Sequence, residues 1–150
     1  MSENFLKIIP EQPVYIPKNE AQVTASRFLK SLVDENCEVQ SKVSKEIEFV
    51  DAGTNFESIS CPICGKEISG EWWSIAMSKA HQSHFSQLEI AVPCCKSRTT
   101  LNHLNYNWSQ GFARFVLSAR NPNISMLDKQ SLSKLEQILG CKLRVIWTHY

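Results

Sequence analysis

The residues best suited to chemistry in this chain are its six cysteines: Cys37, Cys61, Cys64, Cys94, Cys95 and Cys141. Four of them cluster. Cys61-Pro62-Ile63-Cys64-Gly65 is a CPxCG knuckle. Its proline fixes the turn, and the glycine lets the backbone bend so that amide hydrogens face sulfur. Two thiolates at this spacing can reach one tetrahedral Zn²⁺ at about 2.3 Å each. The second pair lies in Val92-Pro93-Cys94-Cys95-Lys96. Adjacent side chains diverge, so both can bind one ion only in a bent loop, and Pro93 favours such a bend. The expected metal set is therefore Cys61, Cys64, Cys94 and Cys95, with Zn²⁺ as cofactor. Should one of the adjacent pair point away, His84 is the expected substitute, with His81 and His103 also near in sequence. His81 and His84 are three apart in a segment that reads as helix, on one face. Cys37 and Cys141 stand alone beside apolar residues and read as buried free thiols.

The same thiols have a second reading, as a CxxC redox pair. That chemistry needs an exposed low-pKa thiol at a helix start. Here Gly65–Gly70 reads as a turn region instead. Four thiolates would close the metal's coordination sphere, whereas a catalytic zinc keeps a position open. There is no HExxH motif, and the H-x-E partner of a PCxxC deaminase motif is missing. No nucleophile, phosphate loop or carboxylate dyad stands out, so a structural metal and a non-enzymatic protein are expected.

The flanking segments predict the frame that carries these loops. Residues 5–16 read as an edge strand and irregular lead-in, interrupted by Pro10 and Pro13. Asn19 and Gln22 suggest a capping box opening a helix over about 20–34, with Ala21, Ala25, Phe28, Leu29, Leu32 and Val33 on its apolar face. Alternation over 43–50 predicts a strand. Near the other end, Ala113, Phe115, Leu117 and Ala119 form the inward face of a strand. Ser125 and Asp128 suggest a second capping box, Leu132, Leu135, Ile138 and Leu139 a helix stripe, and Gly140 its left-handed terminator. Residues 141–149 alternate again as a last strand. Two strand–helix–strand units side by side predict an α+β protein. The expected form is a ferredoxin-like split β-α-β antiparallel sheet, residues 1–52 and 109–150, with a zinc-ribbon-like insertion at 53–108 between the halves. Within the insertion, Glu71-Trp72-Trp73 opens a helix. Two adjacent tryptophans do not both bury on one side, so one of Trp72 and Trp73 packs inward and the other is a candidate partner anchor. Leu101, Leu104 and Trp108 are expected inward, in a short helix or turn.

Composition sets outer limits. Hydrophobic residues make up 43% and charged residues 21% of the 150, as in an ordinary globular protein. The net charge of +1 argues against non-specific polyanion binding. Local charge runs from −4 over residues 1–60 to +1 over 61–108 and +4 over 109–150. This either pairs two halves or reflects solvated faces. The start MSENFLKIIPEQP lacks a signal-length apolar stretch, so a cytoplasmic, reducing compartment is expected.

Taken together, CPICG…WW…VPCC…TLNHLNYNW…GFARFVLSARNP…LEQILGCKLRVIWTHY resembles a group of small uncharacterised bacterial proteins. In them a CPxCG…PCC metal module precedes a GFARF-type strand and a C-terminal helix and strand ending in His-Tyr. The group often has glycine after the second cysteine pair, where this chain has Lys96. The resemblance implies the shared layout and no assigned activity; small proteins of this kind can serve as immunity proteins against toxins. Two binding functions follow as expectations. The first is a zinc-stabilised protein acting on a protein partner. The alternative is a nucleic-acid-binding zinc-ribbon protein using Arg114, Arg120, Lys142 and Arg144 on phosphates.

Overall fold

A computed structural model describes residues 2–150. In chain order the elements are β1 (Asn4–Pro10), α1 (Asn19–Leu32), β2 (Glu38–Val50), β3 (Ser58–Ser60), α2 (Gly70–His81), β4 (Glu89–Ala91), β5 (Arg98–Thr100), a 3₁₀ turn (Leu101–His103), β6 (Asn105–Asn107), β7 (Gly111–Arg120), α3 (Lys129–Leu139) and β8 (Leu143–His149). The chain is thus mixed α+β. Its main sheet has four strands in the order β2-β7-β1-β8, and every neighbouring pair is antiparallel.

Period-two alternation sends Leu6 and Ile8 of β1, Phe115, Leu117 and Ala119 of β7, and Leu143 of β8 to one face. There they meet Ala25 and Leu29 of α1 and Leu135 and Leu139 of α3 in one buried cluster. Both helices therefore cover the same side of the sheet. Burying side chains of this size contributes about 1.5–3 kcal/mol each. The register slips between Val43 and Glu48 of β2, and the Arg114 Nε donates to the Ser44 carbonyl at 3.0 Å across the irregularity.

Three local expectations are corrected. β1 is a central strand, not an edge, flanked by β7 and β8. Pro10 closes its ladder and Pro13 falls beyond it, so the prolines remove no interior N–H. Asn19 is the first residue of α1, not its cap; the flanking Lys18 makes no side-chain cap bond, while Gln22 reaches back to donate to the Pro17 carbonyl at 2.8 Å. Asp128, not Ser125, caps α3, its carboxylate accepting the Ser131 N–H at 2.7 Å. Gly140 ends that helix at φ +75°, as its type requires.

Two devices hold residues 53–108 against the sheet. Arg144 on β8 clasps both sides: its guanidinium donates to the Glu11 carboxylate at 2.8 and 3.3 Å. It also donates to the Asn102 carbonyl at 2.9 Å and the Gln110 carbonyl at 2.7 Å. Along the β8 edge, Gly53 bridges to His149 and Thr54 N–H donates to the His149 carbonyl at 2.8 Å. Gly53 sits at φ +61°, and a Cβ there would stand 2.2 Å from that carbonyl oxygen, so only glycine fits. The His149 end of the edge is thereby covered.

Candidate metal centre

The two cysteine loops have nearly the same backbone. In the first, Cys61 N–H donates to the Lys66 carbonyl at 2.9 Å and Gly65 N–H to the Cys61 carbonyl at 3.0 Å. In the second, Val92 N–H donates to the Ser97 carbonyl at 3.0 Å and Lys96 N–H to the Val92 carbonyl at 3.0 Å. Gly65 stands at φ +79° and Lys96 at +62°, both left-handed. Each loop is closed by antiparallel pairing, Ser60 with Glu67 in one and Ala91 with Arg98 in the other. Every one of these partners is related by a shift of 31 positions. The insertion is therefore built on a repeated knuckle, in which Ile59, Pro62 and Cys64 recur as Ile90, Pro93 and Cys95. The repeat explains the adjacent cysteines. Val92, fully buried, holds the place of Cys61, and Cys94 stands where the first loop has the exposed Ile63.

The four sulfurs converge. Their ligand atoms all lie within 4.8 Å of one another, with Cys61 to Cys95 at 3.9 Å and Cys64 to Cys94 at 3.2 Å. A tetrahedron of thiolates at about 2.3 Å from a metal has edges of about 3.8 Å, so the group could hold a metal ion. The expected ligands Cys61, Cys64, Cys94 and Cys95 are thus brought together. Among the described residues no histidine joins them. α2 ends at His81, and His84 lies three residues past it, exposed and at φ +54°, so the helical face expected to pair the two histidines does not form. His103 instead shares a hydrogen bond with Thr100 at 2.8 Å.

Local dipoles differ between the sulfurs. The N–H groups of Cys64 and Ile63 point at Cys61 Sγ from 3.4 and 3.3 Å and pull its thiol down to about 6. The Ser97 hydroxyl, 3.3 Å from Cys95 Sγ, lowers that thiol as well. Cys94 is pushed up to about 12, chiefly by its contact with Cys64 and then by burial. Crowded thiols share protons, and a cation placed among them would displace those protons.

Beneath the knuckles lies a second apolar cluster. Ile59, Cys61 and Ile68 of the first loop and Val92 of the second meet Ala80 of α2, Leu101, Leu104 and Phe112. Ser69 caps α2, accepting the Trp72 N–H at 3.3 Å. Trp73 packs inward: its indole N–H donates to the Tyr106 hydroxyl at 3.1 Å, and its ring meets those of Phe49, Phe56 and Tyr106. Trp72 is half-buried against the same cluster, so the expected division into one inward and one outward tryptophan is not seen; Trp72 also lines a groove between α2 and β4, beside Ile75, which is 65% exposed. Leu101 and Leu104 point inward as expected, whereas Trp108 is 42% exposed, because β6 ends before it and the chain turns there toward β7. Of the two isolated thiols, Cys37 is buried and bonds the Arg120 carbonyl at 3.0 Å, and Cys141 is half-buried.

No family model, curated protein or solved structure matches the chain. Among the described residues no helix is long and apolar enough to cross a membrane.

Proposed function

We propose that this is a zinc-stabilised protein that acts by binding a protein partner rather than by catalysis. The observation that carries the reading is the meeting of four sulfurs from two loops. Four thiolates favour Zn²⁺ over hard cations and leave it no open position. In this reading the four-stranded sheet and its two helices are a ferredoxin-like platform formed by residues 1–52 and 109–150, and the paired knuckles are a zinc-ribbon-like insertion. Strand order and the repeated loop support both descriptions. Free thiols and a thiolate metal site suit a reducing cytoplasm. The partner surface centres on Trp72 and Ile75. Neutralising a toxin by direct binding, as an immunity protein does, is one form such an activity takes.

The nucleic-acid reading has less support. Arg144 is committed to Glu11, Asn102 and Gln110. Arg120 pairs with Glu3 and Glu38, and Arg114 is bound to Ser44. Three of the four cations expected to meet phosphate therefore already have partners.

Elemental analysis of purified protein tests the metal: one equivalent of zinc is expected in the wild type and loss of zinc and folding in Cys61→Ser. Affinity capture, repeated with Trp72→Ala, tests the partner. A stoichiometric protein retained by the wild type and lost by the variant is the expected result. Salt-dependent retention on a nucleic-acid column, with no protein recovered, would overturn the reading.

A further inference from the structure

A second site lies away from the sulfurs, where the insertion, the sheet and the β7–α3 loop meet. It is a cleft of about 790 Å³. Asn55 and Trp108 come from the insertion, Asn4 and Trp147 from the sheet, and Asn121 and Asn123 from the loop. Eleven residues line it and none carries an ionisable side chain, although 21% of the chain is charged. Nothing in its wall would compensate a phosphate or a carboxylate, so its chemistry suits a neutral ligand.

The amides are held in place by the fold. Asn4 Oδ1 is 2.6 Å from His149 Nδ1. Asn121 Oδ1 accepts the Asn4 N–H at 3.0 Å, and Asn55 Nδ2 donates to the Trp147 carbonyl at 3.1 Å. Each amide thus uses one end to fix itself. The other ends, two Nδ2 donors on Asn4 and Asn121 and the Oδ1 acceptor of Asn55, remain for a ligand. Asn121 and Asn123 stand at φ +50° and +58°. That conformation costs other L-residues most and asparagine least, and it recurs where side chains are presented for function.

A hydroxyl both donates and accepts, so neighbouring hydroxyls on one ring match a mixed set of amide donors and acceptors. The C–H face of such a ring packs on an indole, and Trp108 offers one that is 42% exposed. We infer that this cleft binds a neutral sugar, through a pyranose ring laid against Trp108 with its hydroxyls on Asn4, Asn55 and Asn121. The inference stands independently of the metal and of the partner at Trp72. Because the cleft draws on three parts of the chain, a bound sugar would also brace the insertion against the sheet.

The chain has four tryptophans, which makes the test direct. The full-length protein is ¹⁵N-labelled and its indole N–H signals are followed while glucose, galactose, mannose and N-acetylglucosamine oligosaccharides are added, with adenosine and uridine as separate arms. Saturable shifts of the Trp108 and Trp147 signals with at least one saccharide are expected, while Trp72 and Trp73 stay in place. Trp108 belongs to none of the buried clusters, so Trp108→Ala should fold and weaken binding at least about tenfold. Asn121→Ala should weaken it likewise. Absence of saturable shifts with every saccharide, shifts with the nucleosides instead, or equal binding by Trp108→Ala would overturn the inference.

Discussion

Moving one sulfur tests the repeated knuckle directly. Cys94→Ser removes a ligand and should cripple the site. Val92→Cys/Cys94→Ile should rebuild it, because position 92 matches Cys61 and position 94 matches Ile63 under the 31-residue shift. A structural zinc site contributes about 10–16 kcal/mol in small zinc-dependent folds. Shared among four thiolates, one ligand corresponds to roughly two to three powers of ten in affinity. Cys94→Ser should therefore bind zinc at least about a hundredfold more weakly in competition with a chromophoric chelator. The double variant should return to within about tenfold of wild type. Its other costs are small. Cysteine packs as a small hydrophobe in the buried place of Val92, and the residue equivalent to position 94, Ile63, is already 55% exposed. Wild-type affinity in Cys94→Ser would refute Cys94 as a ligand, and a folded double variant that remains as weak as the single would refute the equivalence of the loops.

Arg144→Met should loosen the insertion. It leaves the carbonyls of Asn102 and Gln110, residues 3% and 2% exposed, without their donor, and the part-exposed Glu11 adds less because solvent screens it. The loss should be about 3 kcal/mol, read as a fall in Tm of roughly 10 °C. Gly53→Ala should lower Tm as well and selectively speed amide exchange along residues 52–55, since its Cβ collides with the His149 carbonyl oxygen. Capping by Asp128 predicts a pH dependence. The Ser131 N–H holds its carboxyl below the ordinary value, so its stabilisation is present above the unfolded-state pKa and disappears as pH falls through the folded one. Asp128→Asn should flatten thermal stability over that acid range and leave its slope near pH 7 unchanged.

Much of the frame was legible because it rests on local periodicity. Phe115, Leu117 and Ala119 alternate, Leu135 and Leu139 recur at helical spacing, and Gly140 stops the helix, so strand, helix and cap are all written within a few residues of one another. What failed depended on pairings and turns that residue type does not announce. β1 looks like an edge because it ends in prolines, yet its central place is decided by β7 and β8, more than a hundred residues away. Lys18 rather than Asn19 precedes the first helical turn, and Gln22, expected in a capping box, donates instead to the Pro17 carbonyl. Trp108 has an apolar side chain, but its exposure follows from the turn between β6 and β7.

The four-sulfur cluster was legible by residue type, whereas its architecture was not. A knuckle is a backbone object: a turn closed by two hydrogen bonds, with a left-handed residue after the last cysteine. Glycine advertises that conformation in the first loop, and Lys96 hides it in the second. The first ligand position is masked too, because Val92 keeps the burial of Cys61 without its sulfur. Only Ile90, Pro93 and Cys95 survive as identities, too few to announce a repeat when read along the chain. The same geometry also removes the apparent difficulty of adjacent ligands. Cys95 occupies the ordinary second-ligand place, and Cys94, on the outer rim of the turn, reaches the cluster from a position that points to solvent in the first loop. A site assembled this way needs only that the two turns face one another across the apolar cluster. That constraint falls on Ile59, Val92, Leu101 and Phe112 as much as on the cysteines themselves.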